Sequence, residues 1–290
     1  MGECANNQYA TARCRPEAEA DNRVVAEGED GYFSGTTGLP VGLHGWALVM
    51  SKDSHDVNES ITFRYRFMFG NGLKTNVDVK LDRKTLNLIQ EREESYPKWT
   101  ELQFSKCPIC PLNENKDVFC PIAINVVGLV DLFRDMVSYE EVDLLIQSEE
   151  RGFIKRTTLQ QGISSLVGIY MVTSGCPIME KLKPMVRSHL PFATMRETRY
   201  RVMSMYLLAQ YFLSRRGMEP DWELKHLVKI YDDIQIVNKS FLRRLSHIKI
   251  KDATLNALIK LDMFAKHVSA SINRDALDEM ERLFNAYFDR

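Results

Sequence analysis

The sequence predicts an α+β fold in which an N-terminal antiparallel sheet packs on a C-terminal helical bundle. Large apolar residues occupy every second position from Ile61 to Phe69, whereas apolar residues after position 158 recur at helical spacing. Nothing resembling a linker separates the two halves after residue 60, so we expect one tightly packed unit. The predicted organisation is a poorly ordered tail over residues 1–55, a β-rich half over 56–157 and a helical half over 158–290.

The β-rich half contains two predicted hairpins. In the first, the strand from Ile61 leads into Gly70-Asn71-Gly72, a turn sequence that tolerates positive φ. The second joins two short apolar strands through Glu149-Glu150-Arg151-Gly152. The predicted elements are strands at 61–69, 77–81, 86–89, 99–104, 142–146 and 153–154, with a helix over 123–136.

The helical half shows several start signals. Thr194 followed by Glu197 is a capping box, because each can satisfy a free backbone N–H of the first turn. Pro220-Asp221 predicts another helix start, and Asp252 predicts a third. The predicted helices are 158–174, 194–214, one from 220, one from 252 and a last one with an apolar stripe over 277–288.

Composition and charge exclude several function classes. The chain has 290 residues, with 44% hydrophobic and 27% charged residues and a net charge of −1, which is typical of a globular protein and gives no overall attraction for nucleic acid. The longest uncharged stretch, 157–179, contains two Gln, three Ser and three Thr, which predicts a buried helix and no membrane span. No secretory signal is visible, so we expect a cytoplasmic protein whose clustered cysteines serve metal or redox chemistry.

The most specific motif is a set of four Cys-Pro units. Cys107, Cys110, Cys120 and Cys176 each precede a proline. A following proline biases the cysteine toward extended backbone and stiffens the turn that presents the thiol. Four thiolates are the donor set of a tetrahedral structural zinc, so these cysteines predict one zinc site that joins the β half to the helical half.

Other interpretations of the same thiols stay open. An iron–sulfur cluster also takes four cysteines, and Cys107-Pro108-Ile109-Cys110 also matches a dithiol redox centre. A fourth interpretation is four reduced cysteines buried without function. Zinc is favoured because the neighbouring residues Ile109, Phe119 and Ile122 are apolar, so the site has no evident open coordination position and no neighbouring base. Cys4 and Cys14 lie in the tail and are interpreted as free thiols.

The motifs around these cysteines resemble an uncharacterised bacterial protein family of unknown function. The resemblance covers about residues 61–288 and excludes the tail. It implies a bacterial cytosolic setting and adds no catalytic residue. It rests on the segments Trp99-Thr-x-Leu-x-Phe-x-x-Cys-Pro-x-Cys-Pro-Leu112, Thr158-Leu-Gln-Gln-Gly162, Tyr170-Met-Val-Thr-Ser-Gly-Cys-Pro177, Lys181-Leu-Lys-Pro-Met185, His189-Leu-Pro-Phe-Ala-Thr194 and Tyr206-Leu-Leu-Ala-Gln-Tyr-Phe212.

A second candidate site is basic. The segment 181–251 holds 15 Lys or Arg and 6 Asp or Glu, a net charge of +9. Its densest part predicts an anion site, because guanidinium forks bind oxyanions and a histidine can act as acid or base. The alternative is a solvated helix face with a core histidine. The candidate residues are Lys181, Lys183, Arg187, His189, Arg196 and Arg199.

These observations favour a non-enzymatic binding or regulatory module stabilised by zinc. The sequence contains no Ser/His/Asp order, phosphate-binding loop or dinucleotide-binding motif, so no catalytic residue is predicted. An anionic ligand or a protein is the expected partner, although the sequence identifies neither. The alternatives are an iron–sulfur or thiol redox protein and a nucleic-acid or anion binder that uses the basic segment. Intervening acidic residues argue against nucleic acid.

Overall fold

The computed structural model describes residues 59–272 and 274–288, which all fall within one compact unit. They form an antiparallel sheet followed by a helical region, which confirms the predicted α+β class. The predicted tail lies outside the described residues. In chain order the elements are β1 (Ser60–Phe69), β2 (Lys74–Asp82), α1 (Pro121–Leu132), β3 (Glu141–Gln147), β4 (Gly152–Thr158), α2 (Leu159–Thr173), α3 (Pro184–Arg187), α4 (Met195–Arg215), α5 (Lys225–Leu245), α6 (Asp252–Ser271), α7 (Arg274–Glu281) and α8 (Asn285–Phe288).

The sheet has four strands in the order β2-β1-β3-β4, and every neighbouring pair is antiparallel. Both predicted hairpins are present. Gly72 adopts a φ of 85° in the first turn, where its N–H donates to the carbonyl of Phe69 at 2.9 Å. The alternation predicted for β1 is confirmed, because its large apolar residues all lie in the core. They are Ile61, Phe63, Tyr65, Phe67 and Phe69.

Two predicted strands are wrong. Leu88 makes only an isolated bridge to Leu81, and residues 99–104 form two 3-10 turns, Lys98–Thr100 and Gln103–Ser105. The reason for the second error is geometric. Trp99 and Leu102 are both buried, and a spacing of three residues would put them on opposite faces of a strand.

Helix α2 packs against the sheet and against α6, and α6 packs against α5. Gly162 is the point of closest approach to the sheet. A Cβ atom there would lie 2.6 Å from Leu144 Cδ2 and 2.7 Å from Phe67 Cε1. A side chain at this position would therefore force the buried Leu144 and Phe67 side chains to shift.

The predicted helix starts are correct at α4 and wrong at α5. Thr194 and Glu197 form both hydrogen bonds of the capping box. Helix α5 begins at Lys225, and Leu224 before it has a φ of 62°. The helix begins four residues after Asp221, but the Asp221 carboxylate still serves its first turn, because it accepts a hydrogen bond from the His226 N–H at 2.7 Å. The same carboxylate accepts from the Tyr206 hydroxyl at 2.8 Å.

Asp252 stands at the predicted start of α6 but does not cap it. Its carboxylate accepts hydrogen bonds from the N–H and hydroxyl of Ser138, at 2.9 and 2.7 Å, and so ties α6 to the segment before β3. The predicted C-terminal helix is divided into α7, a 3-10 turn and α8. No helix in the described ranges is long and apolar enough to cross a membrane.

Candidate functional site

The first two cysteines bracket a tight turn. The N–H of Cys110 donates to the carbonyl of Cys107 at 3.0 Å, with Pro108 and Ile109 at the two central positions. Proline fixes the φ that the first central position of such a turn requires. Two cysteines at this spacing in a turn are typical of one half of a zinc knuckle.

Cys120 lies at the N-terminus of α1. Its N–H donates to the Thr100 carbonyl at 2.9 Å, which anchors it to the segment before the first two cysteines. Burial raises the pKa of the Cys120 thiol, and the backbone N–H groups of Ala123 and Ile122, which donate to its sulfur, act in the opposite direction. These N–H groups belong to the first turn of α1, where backbone donors lack helical partners.

Cys176 follows the C-terminal end of α2 and repeats this arrangement. Gly175 before it has a φ of 87°, which turns the chain out of the helix. Burial raises the pKa of the Cys176 thiol to about 11, and the N–H groups of Met179 and Ile178 donate to the sulfur and oppose this effect. Two cysteines far apart in the chain therefore share the pattern Cys-Pro followed by two N–H groups aimed at sulfur.

All four cysteines line one cavity of about 30 Å³. A single metal site that joins the β-rich half to the helical half needs the four thiols to lie this near to one another. The four are free thiols, and Cys176 is buried while the other three are half-buried. Within the described ranges, no three His, Cys, Asp or Glu side chains are already arranged as metal ligands. The thiols thus share a cavity, and a metal would have to draw them together.

Arg244 of α5 forms one wall of this cavity. Its side chain is 2% exposed, and its guanidinium donates to four backbone carbonyls of the segment that leads to the cysteine turn. No carboxylate in the described part of the chain lies within ion-pair distance of it. The acceptors are Trp99 (2.5 Å), Glu101 (2.6 Å), Leu102 (3.3 Å) and Ser105 (2.8 Å).

Burial lowers the pKa of Arg244, and the groups that raise it are three cysteines, Cys120, Cys110 and Cys107. Among the described residues, the groups that act on this buried cation as potential negative charges are thus thiols. Sequence reasoning did not single out Arg244. The signal was present, because Arg244 lies three residues after Phe241 and seven after Val237, on the buried stripe of α5.

His189, predicted as part of a surface anion site, is half-buried and hydrogen-bonded to the core residue Tyr65. Its Nε2 is 2.8 Å from the Tyr65 hydroxyl and 3.3 Å from the Ser165 hydroxyl, and its ring contacts Phe63 edge-on at 5.2 Å between centroids. Burial lowers the pKa of His189 to about 3, helped by the charge of Arg201. His189 is therefore a neutral side chain that links α2 to the sheet.

The other predicted basic residues are not brought together. Arg196 and Arg199 both pair with Glu279 of α7, the second at 3.1 Å. Lys183 donates to Glu180 at 2.6 Å and to Asn87 at 2.7 Å. Lys181 and Arg187 are exposed. Three of the six residues predicted to bind an anion are thus already paired with carboxylates of the protein.

Comparison with known families identifies the chain. A family model described as a domain of unknown function (DUF6901) matches residues 63–285. The chain belongs to this family. The DUF6901 match spans both the sheet and the helical region, so the four cysteines and Arg244 all lie within it. No curated protein and no solved structure matches the chain.

Proposed function

We propose that this DUF6901 protein is a non-enzymatic binding or regulatory module whose fold is stabilised by a zinc ion on Cys107, Cys110, Cys120 and Cys176. The observation that carries this proposal is the shared cavity of four thiols beside Arg244. Its setting would be the reducing cytoplasm of a bacterium, where thiols persist.

Charge balance supports the proposal. An isolated buried cation is strongly unfavourable unless it is paired or fully hydrogen-bonded. The guanidinium of Arg244 has carbonyl partners but no described carboxylate partner. A zinc ion with four thiolates carries a net charge of about −2, which would compensate this cation. Four neutral thiols would leave it uncompensated.

The backbone supports thiolates as well. The N–H groups aimed at the sulfurs of Cys120 and Cys176 are the donors that stabilise metal-bound sulfur. Burial raises the pKa of both thiols, so a bound metal ion would have to displace their protons, with these donors acting in the same direction.

Anaerobic purification of the untagged protein followed by metal analysis tests the proposal. We expect about one equivalent of zinc and a colourless sample. Less than about 0.2 equivalents would contradict the metal site. A brown sample that absorbs at about 400 nm would indicate that the four thiols hold an iron–sulfur cluster and not zinc.

A further inference from the structure

A second cavity, of about 230 Å³, lies between α2, α5 and α6 and under the segment 182–193. Most of its wall is aliphatic or aromatic. Ile169 and Val172 come from α2, Ile234 from α5, and Phe264 and Val268 from α6. A cavity of this kind with a few convergent polar groups is the usual form of a small-molecule site.

Arg201 of α4 supplies the charge in this cavity. One nitrogen of its guanidinium, Nη2, donates to the carbonyls of Met185 at 3.0 Å and Ser188 at 2.7 Å, and no carboxylate in the described ranges forms an ion pair with it. The nearest acid on its own helix, Glu197, is held in the capping box, where it accepts from Thr194 N at 2.7 Å. Arg201 thus keeps donor capacity for a ligand.

Two further polar groups in the wall lack partners. The Oδ1 atom of Asn238 is buried without a hydrogen bond, and its residue is 2% exposed. The hydroxyl of Tyr231 has no hydrogen-bond partner among the described residues, and this residue is 4% exposed. The Asn238 oxygen is an acceptor, so its missing partner is a donor such as water, whereas the Tyr231 hydroxyl can donate to a ligand. His189 and Ser165 also line the cavity but satisfy each other and Tyr65.

We propose that this cavity binds a short-chain monocarboxylate, with the carboxylate at Arg201 and the Tyr231 hydroxyl and the alkyl tail between α2, α5 and α6. The cavity volume of about 230 Å³ equals that of roughly eight liquid waters at ~30 Å³ each, which is the scale of a small ligand such as hexanoate. A neutral ligand would leave the guanidinium uncompensated, and a cation would be repelled by it. The inference rests on the proposed binding role and gives it a ligand class, but it does not depend on zinc.

Isothermal titration of the full chain with hexanoate tests this site, with 1-hexanol as the uncharged match and dodecanoate as the long-chain match. Hexanoate is expected to bind with a Kd on the order of 0.1–1 mM, and 1-hexanol at least about tenfold more weakly, because the charge-assisted hydrogen bonds are lost. Dodecanoate is expected to bind more weakly than hexanoate, since its tail exceeds the cavity. Equal binding of hexanoate and 1-hexanol would overturn the proposal.

Variants locate the binding. Tyr231→Phe removes only the hydroxyl and is expected to weaken hexanoate binding about three- to tenfold. Ala265→Phe fills the cavity and should abolish binding. Arg201→Met should weaken it more than tenfold, although it also frees two carbonyls, so the first two variants guard against misfolding. Arg196→Met, on the same helix but exposed and paired with Glu279, is the matched control and should bind normally.

Wild-type affinity in both Tyr231→Phe and Ala265→Phe would exclude this cavity as the site. Zinc content measured on the same samples separates the two proposals. If the protein contains one equivalent of zinc but does not bind hexanoate, only the ligand proposal is rejected. If it binds hexanoate but contains no zinc, only the metal-site proposal is rejected.

Discussion

Replacing Arg244 with methionine is expected to lower the free energy of unfolding by about 3–5 kcal/mol. Methionine preserves much of the aliphatic stem but removes every donor. The carbonyls of Trp99, Glu101, Leu102 and Ser105 then lose their partner. Leaving buried acceptors unpaired costs about 1–3 kcal/mol each before relaxation, so even partial entry of water leaves a large loss.

Arg243→Met is the matched control, because Arg243 is the neighbouring residue of α5 and is exposed. It should change stability by less than about 0.5 kcal/mol. Urea unfolding of both variants, followed by far-ultraviolet circular dichroism, measures the difference. A loss below about 1 kcal/mol in the Arg244 variant would show that the guanidinium does not hold residues 99–105 in place.

Arg244→Lys separates charge from geometry. Lysine keeps the positive charge but lacks the fork that reaches several carbonyls at once. We expect it to lose about 2–3 kcal/mol, between wild type and methionine, because the charge next to the thiols is retained. Similar losses for lysine and methionine would mean that geometry alone matters.

Cys176→Ala is expected to destabilise the protein by several kcal/mol and to remove the zinc. Cys176 supplies the thiol from the end of α2, whereas the other three thiols come from residues 107–120. Without it the metal would keep three ligands and lose its link between the two parts. Truncating a buried cysteine that binds nothing would cost only about 1 kcal/mol, so the size of the loss distinguishes the two cases.

Thermal unfolding with and without a chelator measures this effect. The chelator should lower the Tm of the wild-type protein but leave that of Cys176→Ala unchanged. Cys14→Ala makes the same chemical change at a cysteine outside the proposed site and should behave as wild type. A Cys176→Ala variant with the wild-type Tm would contradict a structural metal.

The sheet was predictable because its signals are local. Residues of β1 alternate between core and surface, and Gly72 supplies the positive φ at the turn to β2. The capping box of α4 is equally local, since Thr194 and Glu197 lie within one turn. Such features depend only on neighbours in the chain, so periodicity and turn chemistry identify them.

The elements that were missed depend on distant partners. Residues 99–105 form 3-10 turns whose carbonyls are satisfied by Arg244, more than 130 residues later. At the start of α5, Asp221 is tied to Tyr206 of α4 and accepts from the His226 N–H, so it serves the helix from four residues before its first residue. No local pattern contains these contacts, so propensity alone predicted a strand and an earlier start.

The candidate site shows the same division. The Cys-Pro spacing is visible in the sequence and predicts a shared site, but the arginine beside it is not linked to the cysteines by any spacing. The basic pattern did not reveal that His189 is half-buried against Tyr65 or that Arg196 and Arg199 pair with Glu279. The cavity at Arg201 exists only because α2, α5 and α6 pack together.

The most direct test of a four-thiolate zinc is X-ray absorption at the zinc edge on protein purified without oxygen. The spectrum should show a single shell of four sulfur atoms at about 2.3 Å. Fewer than four sulfurs, or nitrogen and oxygen ligands at about 2.0–2.1 Å in their place, would contradict the proposed coordination by the four cysteines.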